Sequence, residues 1–173
     1  MDSRSNNGLG ATIGSTNSNQ ILIRPVQAAD TGAVKNLILQ ILGSEYAEDQ
    51  QAYPAEDLED PCQAYGADGD LFLVAEDQGK IVGTCAIKRD EQDVALMRRL
   101  FVDSGCRGKG VGSQLVDRAL EHCKSSGAKR VQIRTADRMA AAIELCKKKG
   151  FEEEDRFTWE SSTLVLLKLQ LDS

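Results

Sequence analysis

A chain of 173 residues, 41% hydrophobic and with a formal net charge of −6, has the size and apolar content of one ordinary globular domain. Its acidic balance, with a sequence pI near 4.9, counts against a nucleic-acid partner. No apolar run approaches the roughly eighteen residues of a membrane span, and Met1 to Gln20 lack the charged and apolar regions of a signal peptide, so the expectation is a cytoplasmic protein with no membrane partner.

Residues 1–20 are rich in Ser, Asn and Gly and almost free of large apolar side chains, which predicts a disordered tail and leaves 21–173 as a single domain. The β-branched alternation of "ILIRPVQ" reads as a strand. Asp30 then stands as an N-cap before Val34, Leu37, Ile38, Ile41 and Leu42, which share one helical face, with Gly43 as the expected stop. Segment 44–61 is acidic and weakly patterned, and Pro54 divides a short helix from a second helix or a loop. "LFLVAED" and "KIVGTCAI" predict a hairpin turning at Gln78-Gly79, and "DVALMRRLFVD" is a further strand. A helix carrying Val111, Leu115, Ala119 and Leu120 on one side closes at Gly127. "RVQIRTA" is a strand, "RMAAAIELCKKKG" a helix with Met139, Ala142, Ile143 and Cys146 on one face, and "STLVLLKLQL" a closing strand. Hairpin strands followed by a βαβ crossover predict an α/β (α+β) fold, a mixed sheet covered by helices.

Cys62, Cys85, Cys106, Cys123 and Cys146 are widely spaced with no C-x-x-C pair, and His122 is the only histidine. That pattern predicts reduced thiols, no metal site and no Ser-His-Asp chemistry. The stretch "CRGKGVGSQL" is more informative. A helix start offers unpaired N–H groups and partial positive charge. Gly108, Gly110 and Gly112 remove side chains that would hold an anion off, while Arg107 and Lys109 add charge, as a pyrophosphate cradle requires. It is not a Rossmann fingerprint, because Ser113 stands where the third glycine belongs, and not a Walker loop, because Gly110 follows Lys109.

Arg107-Gly108-Lys109-Gly110-Val111-Gly112 resembles the R/Q-x-x-G-x-G/A pyrophosphate loop of the GNAT-type N-acetyltransferases. The likeness continues in the preceding strand "LMRRLFV" and in "AAIELCKKKGF", which is similar to that family's A-I-x-L-Y-x-x-x-G-F signature, and it covers residues 21 to 171. The resemblance implies a GNAT-like, mostly antiparallel sheet of about six to seven strands with the crossover in the C-terminal half. It implies acetyl-CoA as co-substrate, no metal, and an amine of a small molecule or protein as acceptor, acetylated by direct attack in a ternary complex; a homodimer is also in keeping with it. Carried onto this chain, the main chain of Leu100, Phe101 and Val102 pairs with the pantetheine arm. The N–H groups from Arg107 through Gly108, Lys109, Gly110, Val111 and Gly112 hold the pyrophosphate, with Ser113 in reach. A bulge in the strand aims an N–H at the thioester carbonyl.

The chain departs from the family pattern where protons are handled. Cys146 replaces the signature tyrosine that often protonates the leaving thiolate, and Ala95 and Leu96 stand where some members carry a glutamate base. Met139 replaces an asparagine at the start of the last helix. Glu45 and Tyr46 are the remaining candidates to take the amine's proton, Cys146 the candidate donor, and Thr135 and Asp137 candidate polar contacts. Glu45, Glu48, Asp49, Glu56, Asp57, Glu59 and Asp60 have no Lys or Arg among them, which reads either as a solvated acidic surface or as a field drawing in a cationic acceptor such as a polyamine. Lys147, Lys148 and Lys149 complement a helix dipole or touch a coenzyme phosphate. The departures leave a second possibility, an acyl-CoA-binding sensor without turnover.

Overall fold

The computed structural model describes residues 20–171. The expected N-terminal tail lies, but for Gln20, outside the described residues. Seven strands form one sheet in the order β1-β2-β3-β4-β5-β7-β6. They are β1 (Leu22–Pro25), β2 (Leu71–Asp77), β3 (Lys80–Glu91), β4 (Val94–Val102), β5 (Arg130–Ala136), β6 (Glu152–Trp159) and β7 (Ser162–Gln170). Every neighbouring pair is antiparallel except β4 and β5, which run parallel. The helices are α1 (Thr31–Glu45), the single-turn α2 (Pro61–Ala64), α3 (Val111–Ser125) and α4 (Ala140–Lys148). Helix α3 makes the crossover between the parallel strands, as the order of elements predicts.

Local chemistry explains most of these elements. Gln78 and Gly79 both have positive φ, 51° and 83°, the backbone of a two-residue hairpin turn whose twist suits the flanking strands. Gly127 ends α3 with φ 89°. Asp30 does not cap α1: its carboxylate accepts from Arg24 at 2.7 and 3.0 Å and from the Gln27 backbone N–H at 2.8 Å, fastening the chain entry instead. Gly43 does not stop α1 either, and the helix runs on to Glu45.

Two cores sandwich the sheet. On one face, Val34, Ile38, Ile41 and Leu42 of α1 pack with Phe72, Val74 and Phe101. On the other, Val111, Leu115 and Ala119 of α3 pack with Leu73, Cys85, Met97 and Val131. Each large side chain buried in this way contributes about 1.5–3 kcal/mol. Strands β2 and β3 are covered on both faces, which is why they read as unbroken apolar runs. Gly83 sets the height of α3 over β3, since a Cβ there would lie 3.0 Å from Leu115, 3.2 Å from Val111 and 3.3 Å from the Phe101 carbonyl. At the far edge β6 is exposed along its whole length, and its Glu, Asp and Arg residues keep that edge from pairing. Among the described residues no helix is long and apolar enough to cross a membrane.

Candidate active site

The site begins where two strands part company. Strands β4 and β5 pair only from Val94 with Arg130 to Met97 with Ile133, and beyond that point they splay. On its other side β4 slips against β3, because Arg98 pairs with Ala86 and Phe101 with Thr84, so Arg99 and Leu100 have no register partner. This is a bulge. Arg99 adopts φ 57°, rare for a residue with a Cβ, and Thr84 fastens it by donating its hydroxyl to the Arg99 carbonyl at 2.6 Å.

The Arg99 side chain holds that conformation from the other end. It is 6% exposed, and its guanidinium donates to Asp57 at 2.5 and 3.1 Å and to the Pro54 carbonyl at 2.5 Å. Burial by itself would push the Asp57 carboxyl up, but hydrogen bonds from Arg99 and Tyr65 and the neighbouring guanidinium charges hold it below its ordinary value.

Past β4 the chain makes a single 3-10 turn at Ser104–Cys106 and enters the glycine loop. Gly108 and Gly110 take φ 80° and 83°, and a Cβ at either would meet nothing within 4 Å. Both therefore serve the backbone path, and the space over the loop is open. Gly110 is the residue before α3, whose first intrahelical bond runs from Gln114 N–H to the Gly110 carbonyl at 3.1 Å. The N–H groups of Val111, Gly112 and Ser113 are left without helical partners. Arg107 folds back, donating from Nε to the Val102 carbonyl at 2.9 Å and from both Nη atoms to Glu45 at 2.6 and 2.9 Å.

Between this loop, the end of β4 and α4 lies a groove of about 470 Å³. The sequence candidates Leu100, Phe101, Val102, Arg107, Gly108, Gly110, Val111, Gly112, Ser113 and Tyr46 all line it, and Lys148 joins them from the end of α4. Lys109 and Glu45 are not among the lining residues. An open anion cradle at one end and exposed strand backbone at the other fit an elongated ligand with a phosphorylated terminus.

A second groove, of about 210 Å³, opens from the other side of the splayed strands and shares Leu100, Phe101, Met139 and Ala142 with the first. Tyr53 stands beside that junction. Its hydroxyl accepts from the Ala136 N–H at 2.9 Å and donates to Met139 Sδ at 3.4 Å, and its ring meets Phe101 edge-on at 6.4 Å. Thr135 lines this groove, whereas Asp137 lines neither. Nothing in the sequence marked Tyr53, because it follows six residues of 3-10 helix with no apolar repeat.

The structure corrects the role given to Cys146. It is fully buried, packed in the core under α3, and lines neither groove; burial pushes its thiol up to about 12. Helix α4 turns Ala141, Ala142 and Leu145 to the groove, so Ile143 and Cys146 face the core. Tyr46 is held above its ordinary pKa, first by burial and then by the Glu45 charge, so at neutral pH it keeps its proton and is unsuited to take one. His122 is structural, its Nε2 lying 3.0 Å from the Gly69 carbonyl.

The acid-rich segment is also not the free field it resembles in one dimension. Asp57 is bound by Arg99, Glu45 by Arg107, and Glu59 by Lys35. Arg138 holds Asp49 at 2.8 Å and Glu48 at 3.5 Å, and Asp49 is fully buried beside Ser162. Asp60 caps α2 by accepting from the Gln63 N–H at 3.1 Å. The cations of these ion pairs come from distant parts of the chain.

Comparison with known proteins agrees with this geometry. Residues 36–151 match the model of the Acetyltransferase (GNAT) family. An uncharacterized N-acetyltransferase of Methanocaldococcus jannaschii is 35% identical over 94 residues, 51% of this chain and 42% of that protein. The IAA acetyltransferase of Azospirillum brasilense is 32% identical over 87 residues, 50% of this chain and 57% of its own length. The chain thus spans about half the length of these relatives. A GNAT-family acetyltransferase from Staphylococcus aureus superposes with a TM-score of 0.76 at 23% identity, covering 88% of this chain and all of that one, 100%. A ribosomal-protein-alanine N-acetyltransferase from Brucella melitensis superposes with a TM-score of 0.73 at 22% identity, covering 87% and 99%. With its bulged fourth strand, glycine loop and crossover helix, the chain belongs to the GNAT acetyltransferase family.

Proposed function

We propose that this chain transfers the acetyl group of acetyl-CoA to a primary amine by direct attack in a ternary complex. The observation that carries the reading is the meeting of two grooves at the β4 bulge, one ending on the anion cradle of α3 and the other open to a second molecule. A sensor that only binds an acyl-CoA has no need of the second groove, so the enzyme reading is favoured.

The pyrophosphate lies against the N–H groups from Arg107 to Ser113, and Arg107 and Lys148 supply positive charge at that end. The pantetheine arm pairs with the side of Leu100, Phe101 and Val102 that β5 leaves free. The Leu100 N–H, released from the ladder by the bulge, donates to the thioester oxygen as charge develops there, a contact worth about 3 kcal/mol in the transition state. The amine nitrogen attacks the carbonyl carbon, the C–N bond forms and the C–S bond breaks. Of the ammonium's three protons, one stays on the amide, one is released to water, and one equivalent ends on the CoA thiolate. Tyr46, protonated and on the cofactor side, is the donor to that thiolate. Guanidinium groups around the second groove disfavour the ammonium form and so help the amine lose its proton.

The test is calorimetric titration with acetyl-CoA of the unaltered protein and of a variant combining Arg107→Glu with Gly110→Asp. Saturable binding to the first and none to the second is expected. No binding to the unaltered protein overturns the reading.

A further inference from the structure

The charged residues lining the second groove are all arginines: Arg98, Arg99 and Arg134. One carboxylate, Asp57, offsets them, and it is committed to Arg99 through two hydrogen bonds. Arg99 Nη1 remains buried without a partner. Among the described residues Arg134 makes no ion pair, and neither does Arg98, whose guanidinium lies 5.9 Å over the Tyr65 ring. Of the acids in the neighbouring segment, Glu45, Glu48, Asp49 and Glu59 are held by Arg107, Arg138 and Lys35, and none of that segment's acids lines this groove. A polyamine would meet like charge here. Beside Arg134, Phe157 and Trp159 stand 36% and 43% exposed on the edge strand, an apolar wall in an otherwise charged stretch.

Resting on the acetyltransferase reading, we propose that the acceptor is an amino acid with a free carboxylate and an apolar side chain. Arg98 and Arg134 take the carboxylate, Phe157 and Trp159 cover the side chain, and the amine reaches the junction at Leu100. A groove of about 210 Å³ suits a molecule of that size. The carboxylate also sets orientation: fixed between two guanidiniums, it leaves the amine as the end free to face the thioester.

The experiment compares L-leucine and L-phenylalanine with their amides and with spermidine, by kcat/KM at saturating acetyl-CoA. In parallel, N-acetyl-L-phenylalanine and its amide are titrated into the CoA-loaded protein. The free acids are expected to exceed the amides by about tenfold or more in both measurements, with spermidine the poorest substrate. Arg134→Gln, an exposed position, should cut that preference several-fold while the affinity for acetyl-CoA stays unchanged, and adding Arg98→Gln should abolish it. Amides equal to acids, a preference for spermidine, or a carboxylate preference that survives both substitutions overturns the proposal. If acetyl-CoA binds but no amine is turned over, the product titration still decides: binding indifferent to the carboxylate sinks it. Failure of acetyl-CoA itself to bind is a different result and strikes the acetyltransferase reading.

Discussion

Glu45, the last residue of α1, grips Arg107, the first residue of the glycine loop, through two parallel hydrogen bonds of 2.6 and 2.9 Å. The pair places the guanidinium beside the cradle but cancels much of its charge before any ligand arrives. A pyrophosphate must therefore share Arg107 with a carboxylate or displace it. Glu45→Gln should tighten acetyl-CoA binding by about threefold to fivefold at low salt, the scale of an exposed ion pair, and the gain should shrink as salt rises. Arg107→Ala should weaken binding by about tenfold. Calorimetry at two ionic strengths measures both; looser binding in Glu45→Gln would mean that Glu45 orients Arg107 more than it competes.

Gly110 carries the second prediction. Its φ of 83° costs a residue with a Cβ about 1–2 kcal/mol, although a methyl group there would touch nothing within 4 Å. Gly110→Ala should lower the melting temperature by a few degrees and weaken acetyl-CoA binding, because relief of the strain swings the first N–H groups of α3. Gly112 differs, since a Cβ would lie 3.1 Å from Leu145 Cδ2, the tip of a side chain that can give way. Gly112→Ala should keep the fold and narrow the groove. Equal affinities across all three proteins would deny the loop its role.

Much of the scaffold was legible because its signals are local. The hairpin at Gln78-Gly79, the apolar face of α1 and the end of α3 at Gly127 each follow from residues within one turn of the feature. The cradle was legible for the same reason, being contiguous. The second groove and the side chains around it were not, because they are assembled across the sheet. Cys146 shares a helical face with Met139 in projection, but the helix sits over a strand gap, so one end of that face meets the groove and the other the core. Arg99 and Asp57 stand 42 residues apart, and no pattern in either segment announces the other. Glu45, Glu48, Asp49, Asp57 and Glu59 looked unpaired only because their cations come from elsewhere in the chain.

The burial of Cys146 sets a further expectation. Cys146→Ala should leave kcat within about twofold of the unaltered protein while costing about 1 kcal/mol of stability, the loss of one small apolar group from a packed core. In the native protein thiol reagents should modify Cys62, which is exposed, well before Cys146. Tyr46→Phe should instead lower kcat at least tenfold with little change in acetyl-CoA affinity. A kcat collapse in Cys146→Ala with the fold intact would return the donor role to the thiol.

Asp57 and Arg99 make the last prediction, and it concerns acid. The folded protein holds Asp57 below its ordinary pKa, so in the acid range the unfolded chain binds the proton that the folded one refuses. Stability contributed by the pair is therefore complete above the unfolded carboxylate value, near pH 4, and is lost as pH falls through the lower folded value. Asp30, held down by Arg24, adds a second contribution of the same sign. Urea midpoints followed from pH 6 downward should fall steadily below about pH 4, and less steeply in Asp57→Asn. Asp57→Asn should also cost about 3 kcal/mol at neutral pH, because the Arg99 charge stays buried without its counter-ion. Since Arg99 is the residue that forms the bulge, kcat should fall in this variant further than acetyl-CoA affinity does. A variant as acid-sensitive as the parent would show that the pair does not govern the pH dependence.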